Sequence, residues 1–363
     1  MKIMTKNEIW SALQQAALVE GAMPEDGEKR TPWFVRVMLG VAGWIGALFL
    51  VGFVGLTMAS SITEAGVFWT IGTVVCTCAA VLFHMNRHGD FASQFGLAAA
   101  IAGQILMTFG VAEGMNASFT TTSFFVALQQ GLLFVVMPNF VHRVWAAGTT
   151  AIALCFAMSG LDLHALALPL VTAGLVLAWL CEFDHPRHGE LVRAGGYGLA
   201  FTAMFVSYLG ADDWNQWRNW RDEPMNPVTA QGLAYAGRAF TALVMVSAAA
   251  LLLRREKVAL TSGAGKVPLA LAIVLALASV KAPGLAPASL ILLLGFANGN
   301  RVLTGLGVVA LLAYLSHYYY ALHATLLEKS ILMTVTGVAL LGLRYASQRW
   351  WPALNKEEET THA

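Results

Sequence analysis

The residue whose chemistry stands out most is Arg238, a cation inside the apolar stretch 229–253. A guanidinium at the centre of a membrane-spanning helix costs about 2.5–3.5 kcal/mol on insertion scales, so it should have a partner or line a pathway. Glu113 and Asp162, at the ends of other apolar stretches, are candidate partners. The functional interpretation is an ion or anion pathway. The alternative is an arginine that reaches the membrane border beside Asp222 or Glu223.

A polar segment, residues 211–228, follows an apolar stretch and contains several large aromatic side chains. Three tryptophans recur there at every third position, and on a helix they would share one face: Trp214, Trp217 and Trp220. Large exposed rings favour the docking of a partner, and anchoring in the membrane interface is the alternative.

A second aromatic group closes the apolar stretch 301–319. Its tyrosines are followed after a short turn by a lysine that could contact an anion, and the candidates are Tyr318, Tyr319, Tyr320 and Lys329. This corner could bind a partner or a polar headgroup. The alternative is an aromatic belt beside the start of a helix.

Metal, cofactor and acid–base chemistry have weaker signals. His84 and His88 have the spacing of two ligands on one helical face, but no third ligand lies at a motif distance, so we expect no metal and no cofactor. An enzyme acting on a lipid-linked substrate would need several acidic and histidine residues to converge. The set that would have to meet is Glu113, Asp162, His164, His323 and Glu328.

The elements that must position these residues are membrane-spanning helices. Of 363 residues, 57% are hydrophobic and only 12% are charged, about half the charged fraction of a soluble domain. The net charge of +1 gives no basic surface for nucleic acid. The apolar stretches lack the alternation of a membrane barrel, which predicts an all-α bundle of roughly twelve transmembrane helices. The predicted spans are 36–57, 66–84, 93–112, 119–138, 143–160, 163–181, 191–210, 229–253, 267–280, 284–297, 301–319 and 328–346.

The distribution of basic residues predicts the orientation. With the N-terminus inside, seventeen lysines and arginines fall in inner segments and four in outer ones. The positive-inside rule then favours a cytoplasmic location for both termini. Residues 1–32 would form a cytoplasmic amphipathic helix and linker, 33–349 the membrane domain with its outer tryptophan-rich loop, and 350–363 a cytoplasmic tail.

The stretch 267–297 contains two apolar pieces that are each too short for a typical span, separated by Lys281, Pro283 and Gly284. It could form two short spans, a re-entrant hairpin or one kinked helix. A single crossing would place the C-terminal arginines outside, so the charge pattern favours two short limbs.

Both ends of the chain resemble a family of bacterial inner-membrane proteins, domain of unknown function 4401. The resemblance rests on two motifs near the front and five near the back: Pro32-Trp-Phe-Val-Arg36, Leu39-Gly-Val-Ala-Gly-Trp44, Pro283-Gly-Leu285, Leu294-Gly-Phe-Ala-Asn-Gly-Asn-Arg301, Tyr314-Leu-Ser-His-Tyr-Tyr-Tyr320, Thr325-Leu-Leu-Glu-Lys-Ser330 and Leu340-Leu-Gly-Leu-Arg344. It implies a polytopic membrane protein of the bacterial inner membrane with a GDYXXLXY-type protein as partner. It implies no catalytic residue.

These features lead to three functional hypotheses. The conspicuous residues are aromatic and face outward, which favours a non-catalytic accessory or scaffold component of a membrane complex. A secondary transporter or lipid-headgroup translocator is the alternative, supported by Arg238 and by the interrupted stretch 267–297. A membrane enzyme is the third. The lipid bilayer is the expected environment and partner of the chain. The sequence identifies no substrate and no oligomeric state.

Overall fold

A computed structural model describes residues 6–15, 19, 21, 33–59, 65–85, 90–182, 188–218, 227–321, 327, 330 and 334. Within these ranges the elements are α-helices and one 3₁₀ turn, His164–Leu166. The helices are α1 (Lys6–Gln15), α2 (Trp33–Ala59), α3 (Ala65–Met85), α4 (Asp90–Gly114), α5 (Phe119–Val136), α6 (Phe140–Gly160), α7 (Ala167–Leu180), α8 (Gly189–Arg218), α9 (Pro227–Arg255), α10 (Gly263–Lys281), α11 (Leu285–Ala297) and α12 (Arg301–Ala321).

The all-α membrane architecture is confirmed. Eleven predicted spans coincide with α2–α12, and six helices of the described ranges are long and apolar enough to cross a bilayer. The predicted twelfth span, 328–346, lies outside the described residues except for Ser330 and Thr334, which are helical. Helix α1 corresponds to the amphipathic helix predicted at the N-terminus.

The chain divides into two compact units, with the boundary between Met115 and Asn116. In the first unit, α3 and α4 pack closely through glycines. A Cβ atom built on Gly72 would lie 2.6 Å from the carbonyl oxygen of Gly103, and one built on Gly103 would lie 2.8 Å from that of Gly72. Only residues without a side chain permit this approach, which maximises van der Waals contact between helices in a membrane.

In the second unit, α5–α12, the two shortest helices lie at the centre. Helix α11 has 13 residues and α7 has 14, which correspond to lengths of about 20 Å each, shorter than the roughly 30 Å hydrocarbon core. Leu175 of α7 and Leu290, Ile291 and Leu294 of α11 are fully buried in one continuous core. Other helices cover most of α11 and one face of α7, whose opposite face exposes Leu170 and Leu177. Because their backbones are largely enclosed by protein, these helices do not need to span the full bilayer thickness.

The stretch 267–297 forms two helices of opposite direction. Helix α10 begins at Gly263, capped by the hydroxyl of Ser262, and ends at Lys281. Pro283 has no N–H to continue the helix, and the chain reverses across residues 282–284 into α11. The two-limb prediction is therefore correct, and a single kinked helix is excluded.

The second unit has two ends, which we name after one residue each. At the Pro283 end, α6, α8, α10 and α12 end while α7, α9 and α11 begin; at the Asn298 end the reverse holds. The α11–α12 turn shows how the Asn298 end is built. Gly299 has a φ of +62°, and the N–H of Asn300 donates to the carbonyl of Gly295 at 2.9 Å. This is a Schellman motif, in which a left-handed residue closes the helix.

Two asparagines beside Gly299 connect four further elements. The Asn298 amide donates to the carbonyl of Trp179 at 3.0 Å, and its oxygen accepts from Arg255 at 3.1 Å. Asn300 caps α12 through the N–H of Leu303 and exchanges a hydrogen bond with Tyr197. The Asn-Gly-Asn turn therefore joins the ends of α7 and α9 to α8 and α12.

Candidate functional site

The candidate site is built around Arg238, which lies in α9 about 16 Å along the helix from Pro227. A guanidinium N–H donates to the carbonyl of Val280 at 3.5 Å, the outer limit of a hydrogen bond. The guanidinium carbon lies 5.4 Å from the centre of the Tyr235 ring, within the range of a cation–π contact. The buried Nε of Arg238 has no hydrogen-bond partner among the described residues.

Val280 explains how Arg238 is held at this position. It belongs to the last turn of α10, where carbonyl groups lack intrahelical partners, and the negative end of the helix attracts a cation. Helix α9 continues beyond this level for several turns. Arg238 is therefore level with the end of a neighbouring helix rather than with the middle of the bundle.

Arg238 lines a cavity of about 70 Å³ at the Pro283 end, which has room for several water molecules. Hydroxyl groups from three helices share the lining with it: Ser207 of α8, Thr241 of α9 and Ser279 of α10. Each hydroxyl donates to a carbonyl of its own helix. A hydroxyl can rotate to donate elsewhere, so all three are available to a polar ligand.

The beginnings of two short helices, α7 and α11, also lie at the Arg238 cavity. His164, Ala165, Leu168 and Pro169, from the 3₁₀ turn and the first turns of α7, line the cavity, and Pro283 precedes α11. Neither α7 nor α11 has a side-chain cap at its start. Uncapped helix N-termini carry partial positive charge, which adds to that of Arg238 and is opposed by the negative end of α10 at Val280, so the full charge of the guanidinium dominates. The electrostatic character of the cavity therefore favours an anion.

Two independent predictions from the sequence meet at this cavity. Arg238 was singled out as an intramembrane cation, and Pro283 and Gly284 as the interruption of a helical pair. The structure places Arg238 and Pro283 in the lining of one cavity. The hydroxyls of Ser207, Thr241 and Ser279 were missed, because a single serine or threonine in an apolar stretch more often bonds its own helix.

The acidic residues predicted as partners of Arg238 have other positions. Asp162 has a φ of +62° and follows α6, where the N–H of Leu163 donates to the carbonyl of Met158 at 2.8 Å. It thus occupies the left-handed position of a Schellman motif, which short polar residues tolerate. Glu113 is exposed in the last turn of α4, in the first unit. Asp222 and Glu223 lie outside the described residues.

The predicted tryptophan-rich loop is shorter than its sequence range of 211–228. Helix α8 continues through Arg218, so its last eight residues, including Trp214 and Trp217, are helical, and α9 begins at Pro227. A helix does not have to end where its apolar stretch ends, because water tolerates the same hydrogen-bonded backbone. Trp220 lies outside the described residues.

The tyrosine-rich corner packs largely within the second unit. Tyr314 is buried against Gly284, and Tyr318 stacks on Tyr314 with ring centres 6.1 Å apart. His317 contacts Tyr208 of α8 at 4.6 Å between ring centres. Tyr319 is half-buried, and Tyr320 lies in the last turn of α12. Lys329 lies outside the described residues.

The remaining candidates form no shared site in the described part of the chain. His84 Nδ1 lies 2.8 Å from the carbonyl oxygen of Ala80 in its own helix, and the ranges that the structure describes contain no group of three potential metal ligands. Of the five residues proposed for an enzymatic centre, His164 lines the Arg238 cavity, while His323 and Glu328 lie outside the described residues.

A cluster of charged residues at the Asn298 end was not predicted. Arg143 pairs with Glu190 at 2.9 Å, and Arg193 lies 3.5 Å from Glu182. Burial raises the pKa of the Glu182 carboxyl above its usual value, although Arg193 and Arg255 oppose this shift. The residues come from different helix ends, so the sequence gives no spacing by which to find them.

Comparison with known proteins gives one match. The family model of the domain of unknown function 4401 (DUF4401) matches residues 32–350. No significant match emerges from comparison with curated proteins or with solved structures. The matched range contains α2–α12 and with them every residue of the Arg238 cavity. The chain therefore belongs to the DUF4401 family, whose function is unknown.

Proposed function

We propose that this multi-pass membrane protein binds an anionic group in the Arg238 cavity, as a secondary transporter or a lipid-headgroup translocator does. One observation carries the proposal. The guanidinium of Arg238 lines a cavity that also holds three hydroxyl groups, has one long hydrogen bond to Val280, and has no carboxylate of the described residues within ion-pair distance. A cation inside a membrane protein normally acquires a counter-charge, and a ligand can supply it.

The position of the cavity supports the same proposal. Transporters commonly bind anions where short or interrupted helices direct their N-termini at the ligand. Here α7 and α11 are short, and the reversal between α10 and α11 supplies Pro283 to the lining. Phosphate and carboxylate groups match the guanidinium in charge and geometry.

The test is the thermal stability of the purified protein in sodium phosphate and in sodium chloride at equal ionic strength. Phosphate that binds the folded state should raise Tm, by an amount that grows with its concentration. Arg238→Gln should abolish this rise and Arg238→Lys should retain part of it. Lys281→Gln removes an exposed cation at the same end and should leave the rise unchanged. An equal rise in Arg238→Gln and in the unaltered protein would reject the proposal.

An accessory role in a membrane complex is a second candidate. It is supported by the extension of α8 through Arg218, which carries Trp214 and Trp217 past the predicted border of the membrane at residue 210. The partner that binds this end of α8 would be a GDYXXLXY-type protein, as the family resemblance implies. Replacement of Trp214, Trp217 and Trp220 by Ala should then abolish co-purification of that protein, whereas Trp145→Ala, at the Asn298 end, should not.

We also propose a location and an orientation. The basic residues of the second unit concentrate at the Asn298 end, among them Arg143, Arg193, Arg255 and Arg301. The positive-inside rule supports an orientation in which this end and both termini face the cytoplasm, and the family resemblance implies the bacterial inner membrane. The Arg238 cavity would then lie toward the outer side.

A further inference from the structure

A second cavity adjoins the Arg238 cavity and differs from it in character. It has a volume of about 230 Å³ and lies between α8 and α12, with α11 at its base. Its walls are almost entirely apolar. They include Phe205 and Tyr208 of α8, Ala288 of α11, and Ala313 and Tyr314 of α12. We refer to it as the α8–α12 cleft.

The two cavities share part of their lining. Ser207 lines both of them, Pro283 lines the Arg238 cavity, and the next residue, Gly284, lines the cleft. The lack of a side chain at Gly284 allows the Tyr314 ring to lie directly against the backbone there. A molecule extending past Ser207 would therefore have a cationic environment at one end and a hydrocarbon environment at the other.

The cleft also faces the membrane. Phe205 is 39% exposed and Tyr208 is 55% exposed, and Ala313 lies on the exposed side of α12, a helix apolar enough to span a bilayer. Exposed side chains on membrane-spanning helices contact lipid, so a lipid can enter the cleft by lateral diffusion within the bilayer. Three small residues, Ala288, Ala310 and Ala313, provide the space.

We infer that the ligand is an anionic membrane lipid, with its phosphate group at Arg238 and part of an acyl chain in the α8–α12 cleft. This inference rests on the proposed function and specifies its ligand. The charged group matches the guanidinium, and the chain matches the walls of the cleft. A soluble anion would use the first cavity and leave the second one without a role.

The test uses the purified protein in nanodiscs that contain equal amounts of phosphatidylglycerol and phosphatidylcholine, with native mass spectrometry of the lipids that remain bound. The unaltered protein should retain phosphatidylglycerol about tenfold more than phosphatidylcholine, because only the former carries a net negative charge for Arg238. Arg238→Gln should lose this preference.

A leucine at position 313 tests the cleft separately. Ala313→Leu adds three carbons at an exposed position of the cleft wall and should lower the retained phosphatidylglycerol about tenfold. Ala270→Leu makes the same change at an exposed position of α10 that lines neither cavity, and should retain lipid normally. Ala313→Val should give an intermediate loss.

The outcomes separate the two proposals. If Ala313→Leu retains phosphatidylglycerol like the unaltered protein, the inference is wrong, and the rise of Tm in phosphate still decides the proposed function. If phosphate raises Tm through Arg238 but phosphatidylglycerol is not preferred, the ligand is a soluble anion and the inference also fails. If Arg238→Gln alters neither measurement, both proposals fail.

Discussion

Arg238 has a single hydrogen bond, of 3.5 Å, and one aromatic contact to compensate its charge in the described part of the chain. Such an incompletely compensated cation lowers stability, because buried charge costs more than it returns unless its geometry is favourable. Residues retained for binding at the expense of stability are common at functional sites.

Replacement of Arg238 by methionine should therefore stabilise the ligand-free protein. Arg238→Met keeps an unbranched side chain of similar length and removes the charge, so we expect the free energy of unfolding to rise by about 1 kcal/mol. Thermal denaturation in detergent, in chloride buffer and after lipid removal, measures it. A clear fall in Tm would mean that the bond to Val280 makes Arg238 a structural residue.

Glu182 provides a pH-dependent prediction. Burial raises the pKa of its carboxyl above the usual value of 4.5, so the folded protein keeps this proton to a higher pH than the unfolded chain does. Stability should then fall as pH rises from about 4.5 to beyond the raised pKa, and remain constant above it.

Glu182→Gln should remove this fall, since glutamine does not titrate. The difference in Tm between Glu182→Gln and the unaltered protein should therefore increase from acidic to neutral pH and then level off. Denaturation scans at a series of pH values would show it. A difference that decreases toward neutral pH would instead mean that the ion pair with Arg193 outweighs the effect of burial.

At the scale of the helix, left-handed residues close three helices of the second unit in the same way. Gly299, Asp162 and Lys257 have φ values of +62°, +62° and +56°. In the third case, the N–H of Val258 donates to the carbonyl of Leu253 at 2.9 Å. The charge of lysine suits a helix end, but in this conformation its Cβ crowds the backbone.

Substitutions at Lys257 and at Gly299 should change the free energy of unfolding in opposite directions. Lys257→Gly should raise the free energy of unfolding by about 1 kcal/mol, because glycine relieves the strain. Gly299→Ala should lower it by about as much, and no atom lies within 4 Å of the added Cβ to contribute a clash. Paired denaturation curves check both changes, and equal signs would contradict the explanation.

Helix packing in the first unit gives a second prediction at this scale. Gly103→Ala would place a Cβ 2.8 Å from both the carbonyl oxygen of Gly72 and the sulfur of Cys76, so α3 and α4 should separate and lose about 1–3 kcal/mol of stability. Gly66→Ala, in the neighbouring helix α3, meets no atom within 4 Å and serves as the control. Similar losses for both variants would show that helix separation is not the cause.

Most helices could be predicted from the sequence because lipid requires the backbone of each apolar stretch to bond within itself. The ends of helices were less predictable. Helix α8 extends eight residues beyond its predicted end at residue 210. The hydropathy of the sequence indicates which residues lie in lipid, but a helix can continue into water beyond them. Arg238 and Pro283 were recognised separately, but their meeting depends on how α9 packs against α10, which local sequence does not encode.

At the scale of the whole molecule, orientation is the property that every outward-facing role requires. A reporter active only in the cytoplasm should be active when fused after Lys257 and inactive when fused after Lys281. These positions follow α9 and α10, which run in opposite directions. Activity at Lys281 and not at Lys257 would invert the orientation and place the Arg238 cavity toward the cytoplasm.

The short central helix α11 has a consequence for the order in which the protein is assembled. With 13 residues it is too short to persist alone among lipid tails, yet Leu290, Ile291 and Leu294 have no exposed surface in the finished fold. Its most extensive neighbour, α12, follows it in the chain, whereas α7, α8 and α9 precede it and leave the ribosome first. Biosynthesis thus prepares part of a protein-lined slot before α11 emerges, and α12 completes it. Truncation directly after α11, like removal of α7–α9, should therefore leave α11 outside the bilayer.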